Sequence, residues 1–124
     1  MRWWIALLAA CGGSDGGSFD ATVNAAEAFS ASCKLTESDE FLDIYAKGDD
    51  ISFEMKWKKA IITMAGTYTS TGIVSDISLF VQLGTEIKSA TGSVTFTSYA
   101  PSHVVGTFDL TAATFSATGA FDCD

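Results

Sequence analysis

Ile51, Phe53, Met55 and Trp57 alternate with Ser52, Glu54, Lys56 and Lys58, and this two-residue period recurs along most of the chain. Successive side chains of a β-strand point to opposite faces, so apolar residues at every second position mark a strand with one buried face and one wet face. Ile77, Leu79, Val81 and Leu83 repeat the pattern, as do Val94 with Phe96, and Val104 with Gly106, Phe108 and Leu110. A last strand runs from Phe115 to Cys123, and earlier ones are expected over Phe19–Val23, Phe29–Cys33, Leu42–Ala46 and Ile62–Tyr68. Strands at intervals of roughly 8–12 residues, separated by polar or glycine turns, have the rhythm of an antiparallel all-β domain. The expected fold is a single antiparallel β-sandwich, with a small closed β-barrel as the alternative.

Local signals refine that outline. Lys47-Gly48-Asp49-Asp50 separates two alternating runs and reads as a hairpin turn. Asn24-Ala25-Ala26-Glu27 has capping-box spacing and would also suit the start of a short helix. Thr36 to Lys47 has a helical rival too, with acids leading, a lysine trailing and Gly48 as a cap. The strand assignment for Leu42–Ala46 is kept because Ile51–Trp57 needs an antiparallel neighbour. Lys56, Lys58 and Lys59 are expected on a solvated strand edge, where lysine deters pairing with other chains.

The N-terminus follows different rules. Met1 to Ala10 offers one positive residue, an apolar run and small residues ahead of Cys11, the layout of a secretory signal. The run is too short to cross a bilayer as a helix, which needs about 20 residues. Leu8-Ala9-Ala10-Cys11 resembles the lipobox of bacterial lipoproteins, and that resemblance implies lipidation of Cys11 and cleavage just before it. Gly12 to Ser18 carries no apolar side chain and reads as a flexible tether. The organisation expected is therefore a signal peptide over 1–10, a Gly/Ser tether over 11–18 and a β domain over 19–124. The resemblance further implies an exported protein held to the lipid bilayer of the cell envelope. Gly12 in place of an aspartate after the cysteine implies the outer rather than the inner membrane. Gly92-Ser93-Val94-Thr95-Phe96, Gly106-Thr107-Phe108 and Gly119-Ala120-Phe121 also resemble a strand pattern found in small bacterial lipoproteins with no assigned activity.

Lipidation of Cys11 leaves Cys33 and Cys123 as a pair in an oxidising compartment. Each is in phase with an apolar strand face, so both thiols should point inward and form a disulfide. Two buried free thiols are the alternative.

Charge and motifs restrict function. The formal net charge is −8, and the seven basic residues include Arg2 of the leader, against fifteen carboxylates. Nucleic acid is not an expected partner, because its phosphates require clustered Lys and Arg. His103 is the single histidine, it reads as a loop residue beside Pro101, and no Gly-x-Ser-x-Gly elbow is present, so an enzyme is not expected. Carboxylates gather at Glu37, Asp39, Glu40 and Asp43 and again at Asp49 and Asp50. Solvated acidic turns explain them, while a calcium site at Asp49 and Asp50 is the sharper reading. Trp57, Tyr45, Tyr68 and Tyr99 are candidates for a sugar-stacking platform or the lining of an apolar ligand site, and Trp57 also suits the end of a core. The leading expectation is a non-enzymatic envelope module that contacts another envelope component. A module binding a carbohydrate or an apolar ligand, with calcium as a stabiliser, stands second.

Overall fold

The computed structural model describes residues 17–71 and 76–124. The leader, Cys11 and most of the tether lie outside the described residues. Nine strands occur among them and no helix: β1 (Gly17–Val23), β2 (Glu27–Glu37), β3 (Phe41–Lys47), β4 (Ile51–Lys58), β5 (Gly66–Ser70), β6 (Ile77–Leu83), β7 (Glu86–Ala100), β8 (His103–Ala112) and β9 (Phe115–Cys123). Strand β1 takes in Gly17 and Ser18, which the sequence alone assigns to the tether.

Eight of the strands form an antiparallel meander that closes on itself. The order is β1-β2-β3-β4-β6-β7-β8-β9, and β9 returns to β1 with Ala117 opposite Val23 and Asp122 opposite Ser18. Closure selects the barrel over the sandwich, and it leaves these strands without open edges. It also overturns the edge position expected for Lys56 and Lys58. Their strand, β4, is paired with β3 on one side and β6 on the other. The short β5 is an insertion between β4 and β6. It adds to β7, whose first part, up to Ala90, pairs with β6 and whose Gly92–Phe96 segment pairs with β5. Gly92 sits at this change of neighbour with φ 148°, where a Cβ would run into the carbonyl of Asp109. A register shift between Phe96 and Ser98 bends the same strand against β8, the usual way for a long strand to follow a barrel wall.

Two local expectations change. Asn24 and Ala25 have φ of 50° and 60°, which makes Val23 to Ala26 a hairpin turn instead of a helix start. The Asn24 side chain accepts a hydrogen bond from the Ser116 backbone at 2.9 Å, tying the turn to β9. Ile62 is not in a strand. The amides of Ile61 and Ile62 both donate to the Lys58 carbonyl, and this turn drops Ile62 into the barrel end.

An eight-stranded barrel is just wide enough for its own side chains to fill. Here aromatic rings share the filling with aliphatic side chains such as Ile44, Met55, Leu79 and Leu110. Phe19 stacks between Phe53 and Phe108, with centroids 5.1 and 4.9 Å away, and Phe29 meets Phe53 edge-on at 5.0 Å. At the opposite end Trp57 packs on Phe96 at 5.1 Å. Cys33 and Cys123 are bonded to each other, with Cα atoms 5.4 Å apart. They lie on β2 and β9, which flank β1, and Gly17 at the start of β1 has no room for a Cβ against the Asp122 carbonyl. Glycine at that point lets the two neighbouring strands approach closely enough to be bridged.

Candidate functional site

The outward positions of β3, β4 and β6 line up in rungs. One rung runs Tyr45, Glu54, Phe80, and the next runs Asp43, Lys56, Ser78. A wet face built from alternation alone would be polar throughout, but this one holds Tyr45, Phe80 and, at its margin, Phe41. Tyr45 is 39% exposed. Thr36, Ser38, Phe41, Asp43, Tyr45, Glu54 and Lys56 surround an open groove of about 390 Å³. A second hollow of about 340 Å³, sharing Phe41 and Lys56, continues toward Lys58, Ile61 and Asp76.

Charges in the groove are not paired by sign. Lys56 stands opposite Asp43 in the ladder, yet its ammonium lies over the Phe41 ring, 4.6 Å from the centroid. Asp43 instead reaches diagonally to Glu54, and the two carboxyls share a hydrogen bond that requires a proton. Burial among its neighbours, then that hydrogen bond and the repulsion from Glu54, push Asp43 up to about 8, with Lys56 acting weakly the other way. At neutral pH the proton is spent within the pair, which leaves the remaining carboxyl oxygens as acceptors facing the groove.

This proton makes stability depend on pH. The folded chain holds it to about pH 8, whereas an unfolded aspartate releases it near pH 3.9. The contribution is complete below the unfolded value and is lost as pH rises through the folded one. Urea unfolding between about pH 5 and about 8 should show stability falling by at most about 1.4 kcal/mol per pH unit, less where water screens the half-buried group. Asp43→Asn, which copies the protonated shape, should flatten that slope. An equal slope in the variant would remove Asp43 as its source.

The residues expected to form a site fare differently. Trp57, Tyr68 and Tyr99 do come together around Phe96 at one barrel end. Their polar atoms are committed internally: the Trp57 indole donates to the Tyr99 hydroxyl at 2.9 Å, Tyr99 donates to the Ile62 carbonyl at 2.8 Å, and Tyr68 donates to the Met64 carbonyl at 2.8 Å. Trp57 is 1% exposed, and burial raises the Tyr99 phenol above its ordinary value. That trio closes the core. Tyr45 stands apart from it, on the outer face. Asp49 and Asp50 are exposed in the β3–β4 turn, where the Asp50 carbonyl accepts from the Gly84 amide. Among the described residues no three His, Cys, Asp or Glu side chains gather to hold a metal ion, so the calcium reading gains no third ligand. Glu37 is engaged with Lys59 at 2.8 Å.

No protein-family model, curated protein or solved structure matches this chain. The residues of the groove therefore speak for themselves. Glu54 and Phe80 were not legible as site residues. The available signal was an aromatic in the polar phase of a strand: Phe80 within Ser78-Leu79-Phe80-Val81-Gln82, and Tyr45 within Asp43-Ile44-Tyr45-Ala46. His103 opens β8 opposite Ala100 instead of lying in a loop, and its imidazole donates to Asp122 at 2.5 Å, a bond that raises its pKa.

Proposed function

We propose that this chain is an exported envelope lipoprotein, anchored in the bilayer through an acylated Cys11, whose barrel is a non-enzymatic interaction module working through its outer face. The observation that carries the second half is the filling of the barrel. A carrier of an apolar ligand needs interior space, and the rings of Phe19, Phe53, Phe108, Trp57 and Phe96 occupy it. The grooved surface over Asp43, Tyr45 and Glu54 is then where another envelope component would meet the domain. Support for the anchor is the lipobox resemblance at Leu8-Ala9-Ala10-Cys11 with the glycine-rich residues behind it. Two acyl chains suffice for stable anchoring, since each buried methylene contributes about 0.8 kcal/mol. Gly12 favours delivery to the outer membrane.

Metabolic labelling with a fatty-acid analogue tests the anchor. Label is expected in the wild-type chain and not in Cys11→Ser. Equal labelling of both would remove the lipoprotein assignment.

A further inference from the structure

We propose that the groove beside Tyr45, bounded by Thr36, Asp43, Glu54 and Lys56, binds a neutral sugar unit of a glycan. This rests on the reading that the barrel acts through its outer face, and it names the ligand class. A pyranose ring has one apolar C–H face and a fringe of hydroxyls, so its site needs an exposed ring beside hydrogen-bonding groups of both kinds. Tyr45 supplies the ring on a strand whose neighbours hold it in place on both sides. Asp43 and Glu54, side by side in the groove, supply carboxyl oxygens that accept from the hydroxyls of a vicinal diol. Thr36 and Lys56 line the same groove, and their hydroxyl and ammonium are the donors. An open groove of about 390 Å³ has room for a sugar ring.

The same features argue against other occupants. Apolar surface on this face is interrupted at every rung by a charged or polar side chain, as in Tyr45–Glu54–Phe80, so it lacks the continuous apolar centre of a tight protein interface. Anionic ligands would meet two carboxyl groups on a chain of net charge −8.

The test titrates the full chain, solubilised in detergent, with neutral oligosaccharides of glucose, mannose, galactose and N-acetylglucosamine by calorimetry. At least one series should bind, and both Tyr45→Ala and Glu54→Gln should weaken it by about tenfold or more. Tyr45→Phe should retain binding, because the ring is kept. Tyr45→Ala should unfold at the wild-type temperature, since its side chain lies outside the core, and Glu54→Gln, which alters the contact with Asp43, is to be shown folded by its circular dichroism before its binding is read. No binding by any series, or binding indifferent to both substitutions, overturns the proposal. If sugars fail but Tyr45→Ala abolishes photocrosslinking of this face to an envelope protein in intact cells, the sugar assignment falls and the outer-face reading stands. Loss of neither crosslinks nor binding would end both.

Discussion

Replacing Cys33 and Cys123 together by serine is expected to lower the unfolding free energy by about 2–5 kcal/mol. The bond spans a sequence separation of 90 and joins β2 to β9 on either side of β1, close to the seam where the last strand of the barrel meets the first. In the unfolded chain it holds together ends that would otherwise explore a large volume. In the folded chain it is buried, and the Leu35 amide donating to the Asp124 carbonyl at 3.2 Å continues the same junction. Small domains have total stabilities of about 5–15 kcal/mol, so the expected loss is a large fraction. Urea unfolding of the double variant should match that of the wild-type chain under reductant. A wild-type curve that reductant leaves unmoved, with the bond shown to be broken, would mean that the seam is secured by its backbone pairing alone.

The strands and the cysteine pair were legible because both depend on a two-residue period that local sequence carries directly. The strand over Leu42–Ala46 follows from the need of Ile51–Trp57 for a partner, a need that the Ala46–Phe53 and Ile44–Met55 rungs meet. The choice between sandwich and barrel was not legible in the same way. It depends on whether Ala117 finds Val23, a pairing between the two ends of the domain, and on the bend at Phe96/Ser98 within β7. The first part of β7 escaped notice because Ile87 faces solvent while Lys88 takes the inward phase opposite Val81. The clustering of Lys56 and Lys58 reports exposure and not whether a strand has one neighbour or two, and β4 has two. For the aromatic residues, sequence located Trp57, Tyr68 and Tyr99 without their partners. Trp57 donates to Tyr99 itself, while the two tyrosines donate to backbone carbonyls of the turn after β4, which no side-chain pattern announces. The Asp43–Glu54 contact is a diagonal across two strands, set by the register of β3 on β4.

Phe53→Ala is the second large effect expected, at about 3–5 kcal/mol. Phe53 is 1% exposed and touches rings from four other strand positions, with centroids of Phe19, Phe29, Phe108 and Phe115 between 5.0 and 6.1 Å away. Truncation would leave a void lined by those rings. The walls cannot easily close on it, because each is a strand bonded to two neighbours in a closed ring, so the cost should lie toward the upper part of the range. A void of this kind is apolar and stays dry, and it should accept a small aromatic molecule. Benzene is therefore expected to raise the melting temperature of Phe53→Ala and to leave that of the wild-type chain unchanged, since a ligand stabilises only the state that binds it. The wild-type arm bears on function. If benzene or a fatty-acid probe stabilised the unsubstituted chain and shifted the signals of Phe19 and Phe108, the barrel interior would have usable space, and the case for an outer-face module over an apolar-ligand carrier would fail. If it did neither, while Phe53→Ala gained a ligand, the rings themselves would be what closes the interior and leaves the outer face to meet a partner.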